Sequence, residues 1–165
     1  MVAASLGTIL KGRVCLVGVG NRQRGDDGAG SWFIERVQGR LPWPCVDAGV
    51  APENRLEEVV RAGPDTILLV DALNFGAPPG ACCLLESRGL QAGDLSTHAP
   101  SLALAAVYWQ ARLPVRIFVL GIQPASTGWR AALSPAVERA LELLVKALSD
   151  GAGGNRDGTE AAVGR

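Results

Sequence analysis

A glycine-rich turn that carries two adjacent carboxylates sets the tightest limit on this chain. The run Gly18-Val19-Gly20-Asn21-Arg22-Gln23-Arg24-Gly25-Asp26-Asp27-Gly28-Ala29-Gly30 follows an apolar stretch at 14–17 and precedes a helical pattern. Glycines behind a buried strand let the backbone turn sharply and come close to whatever occupies the crevice. Here Asp26 and Asp27 place negative charge on the turn, where a phosphate cradle would avoid it. The turn therefore points to cation binding or proton handling. Gly20, Asn21 and Gly25 are the residues expected to shape it, with the Asn21 amide holding the tight loop.

Apolar patterning after this turn alternates between strand and helix. Strands are expected at 13–19, 44–47, 66–71, 81–85 and 115–120, and the runs 67–70 and 117–120 are apolar throughout, as in strands covered on both faces. Helices are expected at 28–38, 53–62 and 102–113. A last helix opens on Ser134-Pro135, a capping residue followed by proline at the first helical position, and is expected to end near 148. The alternation predicts a three-layer α/β/α sandwich around a mostly parallel five-stranded sheet. The link between 71 and 81 is too short for a crossover helix, so 81–85 is expected as an antiparallel edge strand. Residues 1–149 read as one domain. The tail 150–165 lacks apolar periodicity and is expected to be disordered.

Composition removes several function classes. Sixteen basic residues balance sixteen acidic ones without a dense basic run, which argues against nucleic acid or an anionic membrane as partner. Neither an export leader nor a membrane span is expected, and a cytoplasmic location follows from that reading. Cys15, Cys45, Cys82 and Cys83 form no CxxC pair and are expected as reduced, mostly strand-borne thiols, not zinc ligands or nucleophiles.

In an open parallel sheet, ligands bind beyond the carboxyl ends of the strands. Asp26 and Asp27 follow the first strand, Asp47 the second, and Asp71 closes the third. His98 precedes the 102–113 helix, on the same side if the crossovers are right-handed. Asp27, Asp71 and His98 make an oxygen–oxygen–nitrogen set suited to a divalent transition metal. Each has a plainer reading. Asp27 can cap the following helix, Asp71 can be a solvated turn residue, and His98 can be a hydrogen-bonded helix start. Asp26 reads as support for Asp27, and Asp47 as an ordinary strand end or an outer carboxylate. Arg22 and Arg24 suit either a carboxylate on a partner or plain surface charge. Trp32 and Trp109 read as core anchors, whereas Trp43 and Trp129 fall in loops where packing or protein docking would use them. A dinucleotide site is the weaker alternative, because Gln23 replaces the third glycine and the acid pair opposes pyrophosphate. A metal-dependent interaction or chaperone module without hydrolytic activity is the other.

The loop string combines with Asp47-Ala-Gly-Val-Ala-Pro-Glu-Asn54, Leu69-Val-Asp-Ala72, Thr97-His98 and Leu120-Gly-Ile-Gln-Pro124. Together they resemble the signature segments of the nickel-iron hydrogenase maturation endopeptidases, over about residues 13–148. The segments at 51–54 and 121–124 look most like the branch serving formate hydrogenlyase-type, energy-converting hydrogenases. The resemblance implies a phosphorylase/hydrolase-like sandwich acting as an aspartate-dependent endopeptidase. Its substrate would be the nickel-loaded large-subunit precursor, from which it removes a C-terminal extension after nickel insertion. Asp27, Asp71 and His98 correspond to the family's metal-contacting catalytic residues. A monomer without a permanently bound cofactor is implied, its site contacting nickel carried by the substrate. The basic Arg22-Gln23-Arg24 departs from the usually apolar stretch before the acid pair.

Overall fold

The computed structural model describes residues 2–87, 96 and 98–153. Five strands, β1 (Val14–Val19), β2 (Cys45–Gly49), β3 (Thr66–Ala72), β4 (Cys82–Glu86) and β5 (Arg116–Ile122), form one sheet in the order β2-β1-β3-β5-β4. β1, β2, β3 and β5 are parallel, and β4 pairs antiparallel with β5 at the edge. The antiparallel edge expected from the short link is thus present.

Helices cover both faces: α1 (Val2–Ile9), α2 (Ala29–Val37), α3 (Leu56–Ala62), α4 (Ala99–Arg112) and α5 (Pro135–Gly153). Because strand side chains alternate, each strand feeds two cores. Leu16, Leu68, Val70 and Leu120 pack with Leu6, Phe33, Ile34, Leu141 and Leu144 under α1, α2 and α5. Val17, Ile67, Leu69 and Val119 pack with Val59, Leu102, Ala105 and Trp109 under α3 and α4. Trp109 is fully buried and its indole N–H donates to the Leu56 carbonyl at 3.1 Å, whereas Trp32 and Trp43 only flank the other core.

Four differences from the sequence reading have local causes. Helix α1 escapes it because Val2–Ile9 contains Gly7 and anchors through one deeply buried residue, Leu6, against α5. The expected 53–62 helix divides into a 3-10 turn, Pro52–Arg55, and α3, since proline opens the segment. Helix α4 begins at Ala99, with Pro100 in a first turn whose N–H groups need no intrahelical partner. Helix α5 continues past 148 to Gly153, which corrects the expected disorder for 150–153. The same expectation for 154–165 lies outside the described residues. No described helix is long and apolar enough to cross a membrane.

Candidate active site

Strand alternation decides where Asp71 points. It shares a face with Ile67 and Leu69, the face covered by α4, and it ends the strand at the carboxyl edge of the sheet. His98 is the cap residue of α4 and makes no side-chain cap bond to that helix. Its imidazole turns instead to the strand end, where Nδ1 lies 3.2 Å from Asp71 Oδ1. Ser96 completes the arrangement. Its hydroxyl donates to Asp71 Oδ2 at 2.5 Å and accepts the His98 backbone N–H at 2.9 Å. The Ala72 N–H donates to Asp71 Oδ1 at 2.8 Å. Asp71 is fully buried with both oxygens engaged, so it fixes the imidazole orientation, as carboxylates behind metal-facing histidines do.

Asp27 arrives from the other side. The glycine-rich turn leads into a 3-10 turn, Gly25–Gly28, before α2 begins. Gly20 has φ +149, and a Cβ there would stand 2.1 Å from the Asp27 carbonyl oxygen, so only glycine lets the loop close on this residue. Gly25 has φ +55 and would meet the Ser126 carbonyl at 2.9 Å. The Asn21 carboxamide oxygen accepts the Gln23 N–H at 2.9 Å, an Asx turn, and the Asn21 N–H donates to the Asp27 carbonyl at 3.2 Å. The cap position of α2 falls to Gly28 without a side-chain cap bond, so Asp27 is not spent as that cap. Asp27 Oδ2 lies 4.0 Å from His98 Nε2, beyond hydrogen-bond range but suited to two groups facing one ligand.

Asp26, fully buried, looks away from this centre. Its Oδ2 accepts the backbone N–H groups of Ala125 and Ser126 at 2.8 and 3.2 Å and the Ser134 hydroxyl at 2.8 Å. Its Oδ1 accepts the Ser134 N–H at 2.7 Å. It therefore clamps the loop after β5 and the start of α5 to the glycine-rich turn. Asp47 serves the same turn from β2, accepting from Ser31 Oγ at 2.7 Å and from Arg22 at 2.9 Å.

Two contributors stand outside the expected site residues, although Gln123 falls in the 120–124 segment that carries the resemblance. Ser96 is one, and a serine two residues before a helix-start histidine, able to form a local turn, is the only hint. Gln123 is the other. Its side-chain oxygen accepts the Phe75 and Ala77 N–H groups at 2.9 and 3.3 Å, and its amide donates to Asn74 at 3.1 Å. It pins the β3–β4 connection beside the carboxyl end of β5. Thr97, matched by resemblance, lies outside the described residues. The cysteines are all free, and burial pushes Cys15 up to about 12 and Cys82 up to about 11, which leaves them as thiols.

Electrostatics of the pair follow from burial and two carboxylates. Burial pushes the Asp71 carboxyl upward, against the hydrogen bonds from His98, Ser96 and Ala72. Burial also disfavours the His98 imidazolium, but the hydrogen bond and charge of Asp71, with the charge of Asp27, outweigh it and raise the ring above its ordinary 6.5. A folded-state value above the unfolded one adds stability that is full below the ordinary imidazole range. That stability is lost as pH rises through the folded value. His98 is the single histidine of the chain, so a proton NMR titration reads it directly. The expected midpoint lies above 6.5 and falls in Asp71→Asn; a wild-type midpoint at or below 6.5 contradicts this electrostatic account.

Among the described residues, no group of three or more His, Cys, Asp and Glu side chains is arranged to hold a metal ion by itself. The site resembles half a coordination sphere, able to contact a metal that brings its own ligands. It does not suit a pyrophosphate. The Gly20 N–H is bonded to the Gly49 carbonyl, that of Asp26 to Ser126, and that of Asp27 to Arg24, at 2.8, 2.9 and 3.1 Å. These three N–H groups are already bonded within the fold and are not offered to an anion.

Known proteins share this arrangement of chain. The Hydrogenase 3 maturation protease of Escherichia coli K12 is 29% identical over 152 residues, spanning 90% of this chain and 96% of that protein. A crystal structure of a [NiFe] hydrogenase maturation protease, HycI, from Thermococcus kodakarensis KOD1 superposes with a TM-score of 0.80 at 28% identity, covering 90% and 99% of the two chains. The solution structure of the endopeptidase HycI from Escherichia coli gives 0.74 at 25% identity, over 84% and 90%. The family model described as HycI, hydrogenase maturation protease, matches residues 34–150, a span that contains both Asp71 and His98. With that span exceeding half its length, the chain belongs to the HycI family of hydrogenase maturation proteases.

Proposed function

We propose that this protein is the endopeptidase that removes the C-terminal extension of a nickel-iron hydrogenase large-subunit precursor once nickel has been inserted. The observation that carries the reading is the meeting of Asp27 and His98 at 4.0 Å, buried at the carboxyl edge of the sheet, in a member of this family. With Nδ1–H donated to Asp71, the ring presents Nε2 toward the nickel carried by the precursor. Asp27 faces the same point. It is the carboxylate placed to take a proton from the attacking water, while substrate nickel polarises the scissile carbonyl. Water oxygen adds to that carbonyl, the peptide C–N bond breaks, and the new amine takes a proton. Asp71 acts through His98, with direct nickel contact as its further role if Ser96 releases Oδ2. The enzyme works as a cytoplasmic monomer, with one domain that runs to the end of α5.

Nickel dependence is the test. Purified protein incubated with nickel-loaded and nickel-free precursor is expected to shorten only the loaded form, read as a mass loss at its C-terminus. Equal shortening of both overturns the nickel checkpoint. Stable binding of the loaded precursor without shortening would instead favour a non-hydrolytic interaction module.

A further inference from the structure

Arg22 and Arg24 leave the same loop and meet different fates. Arg22 is neutralised within the fold: it pairs with Asp47 at 2.9 Å and with Glu35, donates to the Ser31 carbonyl at 3.0 Å, and stacks 4.4 Å from the Trp32 ring centre. Two carboxylates of the chain already neutralise its charge, so Arg22 is not the loop's cation for a partner's carboxylate. Arg24 has no ion pair with a carboxylate among the described residues. Its Nε donates to the Thr127 carbonyl at 3.2 Å, and its guanidinium lies 5.9 Å over the ring of Trp129.

This cation is fixed in place. The loop after β5 is tied to the glycine-rich turn by the Arg130 N–H on the Gln23 carbonyl at 2.7 Å and the Asp26 N–H on the Ser126 carbonyl at 2.9 Å. Trp129 stands 67% exposed, a large aromatic face at the rim with no core to fill. Arg24 heads the 3-10 turn that carries Asp27, and its carbonyl accepts the Asp27 N–H at 3.1 Å. One N–H of the guanidinium is used by Thr127, and the planar fork of terminal nitrogens is left for a bidentate acceptor. A half-buried guanidinium with no ion pair among the described residues, backed by an aromatic ring, is built to receive a carboxylate.

We infer that Arg24, supported by Trp129, binds a carboxylate of the precursor beside the segment entering the site and so helps set which precursor is processed. The inference rests on the endopeptidase reading above. The carboxylate comes from an acidic side chain near the scissile bond or from the end of the extension.

Steady-state processing of the nickel-loaded precursor by wild type, Arg24→Gln, Arg24→Lys and Trp129→Ala tests it. Arg24→Gln is expected to raise KM about tenfold, the loss of one charge-assisted contact, with a smaller change in kcat. Wild-type KM is expected to climb as ionic strength rises from about 0.05 to about 0.5 M, and that slope is expected to flatten in Arg24→Gln but persist in Arg24→Lys. A loop merely distorted by the substitution would keep the salt slope, so this readout separates recognition from structure. Neutralising acidic side chains around the scissile bond removes the Arg24→Gln effect if a side chain is bound. Lengthening the extension by a few glycines removes it if the chain end is bound. A salt slope and KM equal in wild type and Arg24→Gln overturn the inference while leaving the endopeptidase reading intact. Failure of wild type to process loaded precursor overturns both.

Discussion

Asp27→Ala is expected to slow processing of the nickel-loaded precursor about a hundredfold to ten-thousandfold, the usual contribution of a positioned proton-transfer group. The protein is expected to stay folded. The substitution leaves the Asp27 backbone bonds in place, its carbonyl accepting the Asn21 N–H and its N–H donating to the Arg24 carbonyl. The adjoining helix takes no cap bond from a side chain. His98→Ala is expected to follow it in activity, and Asp71→Asn to act through loss of the ring's orientation. Quantifying product formation beside a denaturation curve checks both halves. Wild-type rates in Asp27→Ala would remove it from the site.

The opposite division is expected one residue earlier. Asp26→Ala is expected to cost about 2 kcal/mol, because it removes a fully buried side chain and its four part-buried hydrogen bonds from Ala125, Ser126 and Ser134. The effects are not additive, since water can enter a vacated pocket, but loss of this clamp also frees the start of α5. Urea denaturation reads the change directly. A loss under about 1 kcal/mol would mean that the clamp is dispensable. Two neighbouring aspartates of the same turn are thus expected to part in these two measurements, Asp27 by activity and Asp26 by stability.

Much of this was legible before any coordinates. Apolar runs at 67–70 and 117–120 announce central strands because both faces of β3 and β5 are covered. The short link to β4 announces its direction. The sequence puts Asp71 at the end of an apolar strand and Asp27 on a glycine-rich turn, and the fold brings both beside His98. What stayed hidden depends on distant pairings. The partners of Asp26 lie 99 to 108 positions away, and no local pattern reports them. Arg22 looks like surface charge until β2 brings Asp47 alongside. Gln123 sits in a segment that carries the resemblance, but its role shows only where the β3–β4 connection folds back on it. Helix α1 is short, contains Gly7 and seats Leu6 against α5, so no long periodic stripe marks it in the sequence.

The central claim is that Asp27 and His98 meet nickel held by the precursor. Nickel K-edge absorption of loaded precursor, rendered uncleavable at the scissile bond, reports the metal's neighbours with and without this protein. Complex formation is expected to add nitrogen and oxygen donors to the nickel shell, with the nitrogen contribution missing in His98→Ala and an oxygen contribution missing in Asp27→Ala. A nickel spectrum unchanged by stoichiometric binding of the wild-type protein would contradict the account.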